Sequence, residues 1–431
     1  MTRLRFAVSP AAPLHVASAR LAVVSWLYAK CTGGRFLLRV DDIAAPSEAA
    51  DLQRDLAWLG IDWFEIAFQS HRRDAYADAA EKLKAAGRLY PCFETQQELE
   101  AKRDHRARRG QPVVYDRAML KLTPDQRARA EAGGKQPHWR FQLSDRTVTW
   151  KDLTLGKHEE KLQAISDPVL IRADGSPTPA LAAAVDDHDD RITHVIRGAE
   201  QTASTAVQID ILAALGAKTP FLAHLPPLQE GTGRRARRPE GIALRHLRAD
   251  GMEPQALAAY LATLGTGHPA TAAGMTSCDL ARFAPARFDI AALLAANRAQ
   301  LSEMPHEAAA ARLPPGATEA FWLCVRKHID LLPEARGWWD VVAGEIVPPE
   351  IEGEAGLLRL AAEELPAEPW NEQVWPTWRD ALATATNRPA PDIAQILRLA
   401  LTGEDHGPDM ASLLPLIGRA RAKRRLDVAA C

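Results

Sequence analysis

Apolar residues alternate with polar ones at the amino end of the chain, and a continuous apolar stretch follows. The segment RLRFAVS, residues 3–9, has an apolar side chain at every second position, which predicts a strand. Two prolines follow it, and ARLAVVSWLYAKC, residues 19–31, is apolar nearly all round, which predicts a buried helix. Ser18 stands immediately before this stretch and is expected to cap the helix.

The same order of strand and helix repeats further along the chain. RFLLRV, residues 35–40, predicts a second buried strand, and the helix that begins at Pro46 has leucines on one face. This order predicts a parallel sheet with crossover helices, in which ligands bind at the carboxyl ends of the strands. His15 follows the first strand, and Asp41 and Asp42 follow the second. We therefore expect these polar side chains to converge on one edge of the sheet.

The pattern changes twice more toward the carboxyl end. Residues 88–175 combine charged helical stretches with short strand-like ones, WRFQLS and RTVTWKDL, which indicates an insertion into the sheet domain. The buried-strand pattern returns at DRITHVIRG, residues 190–198, and a crossover helix follows it. From residue 252 onward the pattern predicts helices, and the tryptophans that cluster between residues 322 and 378 are interpreted as core.

The composition is that of an ordinary globular protein, with 47% hydrophobic and 25% charged residues and a formal net charge of −2. A net charge this close to zero excludes attraction of the whole protein to nucleic acid by its overall charge. Any anion-binding surface must therefore be a local basic patch. Three basic runs, at 102–109, 233–238 and 419–425, are candidates for such a surface, and each could also be a solvated face.

Cysteine usage and hydropathy limit the possible classes further. Five cysteines are scattered without metal-ligand spacing, and the insertion offers only Cys92, so we expect no structural zinc and no other metal site. No signal-peptide pattern or membrane-length apolar run is present in the sequence. We therefore expect a soluble, cytoplasmic protein with no membrane partner. A monomer is a separate expectation, which these features do not decide.

A series of segments along the chain resembles, in order, the glutamyl-tRNA synthetases of the class I aminoacyl-tRNA synthetase family. SPAAPLHVASAR, residues 9–20, resembles the first class I signature, which reads S-P-T-G-x-L-H-I-G-G-A-R in that family. GRRARR, residues 233–238, stands where the second signature, K-[LIM]-S-K-R, is expected. The other matching segments are LRVDD with LAWLGIDW, YPCFETQQELEAKR, DPVLIRADGSPT, DDHDDRITHVIRG, ALGAKTPFLAHLPPL, GIALRHLRADGMEPQALAAYLATLG and LRLALTGEDHGPDMASLLPLIG.

The resemblance implies an α/β fold: a Rossmann-like class I catalytic domain with an inserted α+β domain, followed by an all-α anticodon-binding region. The implied domains are the catalytic domain in two halves, 1–87 and 176–225, an inserted acceptor-stem-binding domain at 88–175, a stem-contact region with the second signature loop at 226–310, and a helical anticodon-binding domain at 311–431.

The implied activity is that of a glutamate–tRNA ligase in translation. Glutamate reacts with ATP, supplied with Mg²⁺, to form glutamyl-adenylate, and the glutamyl group passes to the 3′ end of tRNA. The resemblance implies catalytic roles for His15 and Arg237, ATP binding by Ser9, His15, Ala17, Arg237 and Arg238, and glutamate binding by Arg5, Ser9, Asp41 and Arg197.

Several residues depart from the family pattern. Alanine and serine replace the signature glycines at 12, 17 and 18, and Ala236 and Arg237 replace serine and lysine of the second signature. Pro179 and Ala183 stand where the family has a tyrosine and an asparagine. Two alternatives therefore stay open: a weakened or inactive paralogue that binds tRNA, and another nucleotidyl-transfer enzyme on the same fold.

Overall fold

The computed structural model describes residues 1–46, 49–229, 241–270 and 279–430. The chain divides into two compact units: unit 1 comprises 1–245 and 258–289, and unit 2 comprises 246–257 and 290–431. The strands are β1 Arg3–Val8, β2 Arg35–Val40, β3 Glu65–Phe68, β4 Leu89–Cys92, β5 His138–Phe141, β6 Thr147–Asp152, β7 Gly156–Lys161, β8 Val169–Ile171, β9 His194–Gly198, β10 Phe221–Leu225, β11 Leu228–Gln229 and β12 Ala286–Arg287.

The helices form two sets along the chain, those before residue 264 and those after residue 289. The earlier ones are α1 Val16–Cys31, α2 Ala50–Trp58, α3 Arg73–Ala85, α4 Gln96–Arg108, α5 Pro124–Ala132, α6 Pro179–Asp189, α7 Thr205–Ala214, α8 Leu244–Ala249 and α9 Pro254–Thr263. The later ones are α10 Ile290–Glu303, α11 His306–Ala309, α12 Glu319–Val325, α13 Ala335–Ala343, α14 Ala355–Glu363, α15 Val374–Thr386, α16 Ala390–Thr402, α17 Met410–Ile417 and α18 Arg419–Ala429.

A seven-stranded sheet in the order β3-β2-β1-β9-β10-β6-β7 forms the centre of unit 1. β1 pairs with β2 in parallel, from Arg3 opposite Arg35 to Val8 opposite Val40. β9 and β10 are also parallel. Because β1 also pairs with β9, at Leu4 opposite His194, the first and second halves of the predicted catalytic fold meet in one sheet. The predicted α/β fold with a helical carboxyl region is confirmed.

The stretch between β4 and β8 contributes to two sheets. β4, β5 and β8 form a separate antiparallel sheet, as expected for an insertion. The stretch RTVTWKDL, which the sequence pattern assigned to the insertion, instead forms β6, and Asp152 at its end lies opposite Leu222 of β10 in the main sheet. Propensity and alternation predict a strand but do not identify its partner, because register depends on contacts distant in sequence. The domain boundaries as a whole stay a prediction.

Helix α1 begins earlier than its apolar pattern indicated. Its N-cap residue is His15, in extended conformation and without a side-chain capping bond, so the prediction that Ser18 caps the helix is wrong. Ser18 lies inside the first turn. The apolar pattern begins several residues after the helix does. The reason is that the first turn contains small residues, which do not distinguish a buried helix face from an exposed one.

Unit 2 is a bundle of short helices around an aromatic core. Trp322 and Trp378 are buried and pack with leucines of α14, α16 and α17, so the interpretation of the tryptophan cluster as core is confirmed for these two side chains. In the part of the chain that the structure describes, no helix combines the length and the apolar character that a membrane span requires.

Candidate amino-acid and nucleotide site

A cavity of about 310 Å³ opens beside β1, β2 and β9 and between α6 and α7, all in unit 1. Three of the four residues that the sequence predicted for glutamate, Arg5, Asp41 and Arg197, line it. Pro179 and Ala183, the two apolar departures from the family pattern, line it as well. The cavity therefore brings together residues from the first and the second half of the sheet.

Arg197 lies at the end of β9 with its guanidinium held by neutral partners. It donates from Nε to Nε2 of His224 over 2.9 Å, from one terminal nitrogen to Oε1 of Gln208 over 2.8 Å, and from the other to Oγ1 of Thr205 over 2.7 Å. Burial lowers the pKa of Arg197 to about 10, which leaves the group charged at neutral pH. Since a guanidinium has five N–H donors, two remain for a ligand.

Arg5 and Arg39 share a buried carboxylate on the floor of the same region. Oδ1 of Asp187 accepts from Nε of Arg5 over 3.0 Å and from a terminal nitrogen of Arg39 over 2.8 Å. Burial opposes ionisation of Asp187, but the two guanidinium groups keep its pKa below the ordinary value. The terminal nitrogens of Arg5 have no hydrogen bond to another residue that the structure describes, so this group too can receive an anion.

Asp41 and Ser9 differ in their placement. Oδ1 of Asp41 accepts from Nε of Arg39 over 3.0 Å, and its side chain is partly exposed at the cavity. Burial alone would lower the pKa of Arg39, but the carboxylates of Asp187, Asp41 and Asp186 raise it overall. Ser9 is exposed, and its hydroxyl accepts from the main-chain N–H of Ala11 over 3.4 Å. Ser9 does not line the cavity wall.

Asp42 follows β2 closely, as Asp41 does, but it does not line the cavity. Its carboxylate is buried and accepts from the main-chain N–H of Ser70 over 2.8 Å and from the Ser70 hydroxyl over 2.7 Å. Asp42 therefore fixes the start of the segment after β3, whereas Asp41 reaches the cavity.

His15 lies at the N-terminus of α1, where a helix offers unpaired N–H groups to an anion. Its Nδ1 is buried and has no hydrogen-bond partner among the described residues. Ala17, predicted at the ATP site, is half-buried in the first turn of the same helix. The residues predicted for the second signature, Ala236, Arg237 and Arg238, lie outside the described part of the chain.

Gln208, His224 and Asp152 take part in the site but were not expected from the sequence. Gln208 bridges two charged groups, since its Oε1 accepts from Arg197 and its Nε2 donates to Oδ2 of Asp187 over 3.3 Å. His224 is a single polar residue inside the apolar strand FLAHL, and that interruption is the signal that could have found it. Asp152 gives a similar signal, because it stands where the alternation of its strand, TVTWKD, calls for an apolar residue.

The insertion surrounds Cys92 with hydrogen-bonding side chains. Its Sγ lies 3.5 Å from Oε2 of Glu94 and 3.6 Å from the hydroxyl of Tyr115, which donates to the same carboxylate over 2.6 Å. Lys102 of α4 forms an ion pair with Glu94. These contacts give the buried thiol two hydrogen-bonding neighbours, and the expectation of no structural zinc stays a prediction.

Comparison with known proteins covers nearly the whole chain. Residues 1–303 match the family described as tRNA synthetases class I (E and Q), catalytic domain, and residues 349–430 match an anticodon binding domain. Glutamate–tRNA ligase 2 of Acidiphilium cryptum is 51% identical over 100% of both chains. Glutamate–tRNA ligase 2 of Granulibacter bethesdensis is 49% identical over 99% of this chain and 98% of its own.

Solved structures show the same fold over the full length. The glutamate-tRNA synthetase of Elizabethkingia anophelis superimposes with a TM-score of 0.85 at 24% identity, covering 100% of this chain and 99% of its own. The glutamate tRNA ligase of Elizabethkingia meningosepticum, solved in complex with its amino acid, gives 0.84 at 25% identity with the same coverage. With a catalytic-domain match over more than half of its residues and full-length relatives of this identity, the chain belongs to the class I tRNA synthetases of the E and Q type.

Proposed function

We propose that this protein is a glutamate–tRNA ligase that uses ATP to attach glutamate to tRNA. The observation that carries the proposal is the cavity between α6 and α7, where Arg197 has no carboxylate partner and Arg5 keeps its terminal nitrogens available. A buried cation without a bound anion is costly, so the cavity favours a ligand that brings a carboxylate. The full-length relatives named glutamate–tRNA ligase support glutamate as that ligand.

ATP binds, in this proposal, at the N-terminus of α1. The unpartnered Nδ1 of His15 fits a phosphate oxygen, and the main-chain N–H groups of Ala17 and Ser18 in the first turn add to the anion site. Mg²⁺ accompanies ATP and supplies charge neutralisation of the phosphates. Ser9 and Ala17 border this turn, and Arg237 and Arg238 are proposed to reach the phosphates from the second signature.

The chemistry requires positioning more than a protein nucleophile. The carboxylate of glutamate attacks the α-phosphate of ATP, and pyrophosphate leaves. The tRNA ribose hydroxyl then attacks the acyl carbon of glutamyl-adenylate, the acyl–phosphate bond breaks, and AMP leaves. Arg5 and Arg197 hold the amino acid, while His15 stabilises charge on the phosphates. A hydrogen bond from a positioned donor to developing charge in such a site contributes about 3 kcal/mol.

Charging of tRNA tests the proposal directly. Wild-type protein, ATP, Mg²⁺ and unfractionated tRNA are incubated with labelled glutamate, glutamine or aspartate in separate reactions. We expect acid-precipitable label with glutamate only, and its loss in Arg197→Gln. Equal label with glutamine, or label that is unaffected in Arg197→Gln, contradicts the assignment of the cavity.

The weakened paralogue remains a second candidate, and one observation favours it. Pro179 and Ala183 line the cavity with apolar surface, so these walls offer a substrate amine no side-chain acceptor. On this alternative the protein binds tRNA but charges it slowly or not at all. If the folded protein binds tRNA in a salt-dependent manner but does not charge it, this alternative is supported over the glutamate–tRNA ligase.

A further inference from the structure

His224 stands between a buried carboxylate and the guanidinium of Arg197. Its Nδ1 lies 2.5 Å from Oδ2 of Asp152, and its Nε2 lies 2.9 Å from Nε of Arg197. His224 is 0% exposed and Asp152 is 2% exposed, so water does not compete for either bond. The three side chains come from β10, β6 and β9, adjacent strands of one sheet.

The hydrogen bonds fix the protonation of the imidazole. Nε of Arg197 always carries a proton and can only donate, so Nε2 of His224 must present its lone pair. The ring proton is then on Nδ1, where Asp152 accepts it. The hydroxyl of Thr205 lies 3.1 Å from the same Nε2, a position from which it also can donate. His224 is therefore neutral in this arrangement.

Asp152 is held in the orientation that this tautomer needs. Its Oδ1 accepts from the main-chain N–H groups of Thr154 and Leu155, each over 2.9 Å, and of His224 over 3.1 Å. Burial alone would raise the pKa of Asp152, but the bonds from His224 and these main-chain groups lower it to about 2. One carboxylate oxygen is thus committed to the main chain, and the other faces the imidazole.

The neutral imidazole separates two charges that would otherwise pair. If a carboxylate contacted Arg197 directly, the ion pair would compete with a substrate carboxylate for the guanidinium. The acceptors around Arg197 are instead an imidazole, a primary amide and a hydroxyl, and none of them carries a charge. Arg197 is thereby oriented while its positive charge remains available to the cavity.

We propose that Asp152 and His224 are positioning residues for amino-acid binding: Asp152 holds His224 in the Nδ1–H tautomer, whose Nε2 orients Arg197 toward the carboxylate of the substrate. The ligand part of this inference rests on the proposed function. The positioning part rests on the contacts alone, and the two are tested separately.

The first test is the tautomer of His224, read from the ¹⁵N shifts of its ring by NMR. In the wild-type protein at neutral pH we expect a proton on Nδ1 and none on Nε2. In Asp152→Asn the amide oxygen replaces the Oδ1 that the main chain holds, so the NH₂ group faces the ring. The imidazole must then accept at Nδ1, and its proton moves to Nε2, opposite the Nε–H of Arg197.

The second test is glutamate binding, measured by calorimetry and as the KM for glutamate in tRNA charging. Since a hydrogen bond that orients a charged group is lost, we expect Asp152→Asn and His224→Leu each to weaken glutamate about tenfold or more. The KM for ATP should stay within about twofold of wild type on the same reasoning. His224→Gln keeps an acceptor for Arg197 and should recover most of the affinity.

His158→Gln is the matched control, because His158 lies in β7 of the same sheet and stacks on Trp150, away from these contacts. It should leave the glutamate KM unchanged. A wild-type ring protonated at Nε2, or a folded Asp152→Asn protein with wild-type glutamate affinity, overturns the inference. Should Asp152→Asn fail to fold, the wild-type tautomer and the comparison of His224→Gln with His224→Leu decide.

The outcomes separate this inference from the proposed function. Wild-type protein that neither binds nor charges glutamate refutes the proposed function. The tautomer change in Asp152→Asn then still decides whether the pair positions Arg197. Equal loss of affinity in His224→Gln and His224→Leu contradicts the positioning role, because a purely structural contribution does not depend on the acceptor.

Discussion

The main-chain N–H of Val16 donates to the carbonyl of Ile242 over 3.0 Å. This hydrogen bond ties the turn that contains His15 to the segment that begins at residue 241. A second bond, from the N–H of Leu244 to the carbonyl of Leu14 over 2.9 Å, completes the antiparallel bridge between His15 and Ala243. The first signature is therefore joined by main-chain bonds to the segment that follows the second.

His15→Ala should reduce charging without unfolding the protein. The bridge uses main-chain atoms only, so it survives the substitution, whereas the phosphate contact proposed for the imidazole is lost. We expect kcat to fall about 10²-fold, as for removal of one donor to developing charge. The free energy of unfolding should change by less than about 1 kcal/mol. Charging kinetics and urea unfolding of the same preparation check both statements, and unchanged kcat contradicts the role of His15.

Reversing three departures from the family pattern should increase activity. In Ala17→Gly, Ala236→Ser, Arg237→Lys the crowding methyl group at residue 17 is removed, and a compact ammonium replaces a planar guanidinium at the second signature. We expect a gain of about tenfold, mainly in kcat, which corresponds to about 1.4 kcal/mol of barrier. Steady-state charging measures it. A gain confined to the KM for ATP would show that these residues act on binding of ATP in the ground state.

Asp190→Asn should stabilise unit 1 at neutral pH. Asp190 follows α6 as its C-cap, where the helix dipole disfavours a negative charge, and its Oδ2 is buried with no partner among the described residues. Burial, opposed by Arg72 and reinforced by Asp186, raises the pKa of Asp190 to about 6. Ionised Asp190 therefore costs stability above pH 6. As the pH falls, Asp190 is protonated in the folded protein at a higher pH than in the unfolded chain. The destabilisation is therefore lost progressively and is absent below about pH 4.

Asp190→Asn should raise the free energy of unfolding at pH 8 by about 1 kcal/mol, after allowance for solvent screening of this half-buried carboxylate. Denaturant unfolding at pH 8 and pH 4 measures it. Asp189→Asn is the control, because Asp189 has a partner, a terminal nitrogen of Arg72 at 2.6 Å. That variant should not stabilise the protein. An equal gain at both pH values would contradict the assignment to ionisation of Asp190.

Arg425→Met should destabilise unit 2. Arg425 is 4% exposed, and its guanidinium donates to the carbonyls of Leu401, Val341 and Gly344, at the carboxyl ends of α16 and α13. Its loss leaves these acceptors without a partner, at an expected cost of about 2–4 kcal/mol. Arg424→Met is the matched control, because Arg424 is exposed and pairs with an exposed Glu345. That change should cost less than about 0.5 kcal/mol in thermal or denaturant unfolding.

Sequence patterns predicted the sheet well because its central strands are continuous apolar runs. RFLLRV became β2 with five of its residues buried, and its carboxyl end delivers Asp41 to the cavity as expected.

The basic run at 419–425 shows where such reasoning ends. Arg425 is buried within α18 whereas Arg424 is exposed, and a charge run does not reveal which of its members meets a helix end.

The candidate site was predicted in part for a physical reason. Motif resemblance located Arg5, Asp41 and Arg197, which the structure brings to one cavity. Asp152 and His224 were missed, because they lie 72 residues apart in the sequence, on strands that share no motif. Hydrogen bonds between distant strands depend on sheet order, which local patterns do not contain.

The amino acid found on tRNA after a competitive reaction tests the central claim most directly. Wild-type protein, ATP, Mg²⁺ and unfractionated tRNA are incubated with an equimolar mixture of the twenty standard amino acids, and the esterified amino acid is identified by mass spectrometry. The proposed function predicts glutamate as the dominant ester, and its absence when Arg197→Gln replaces the wild-type protein. A different amino acid on the tRNA, or no ester although tRNA binds in a salt-dependent manner, would contradict it.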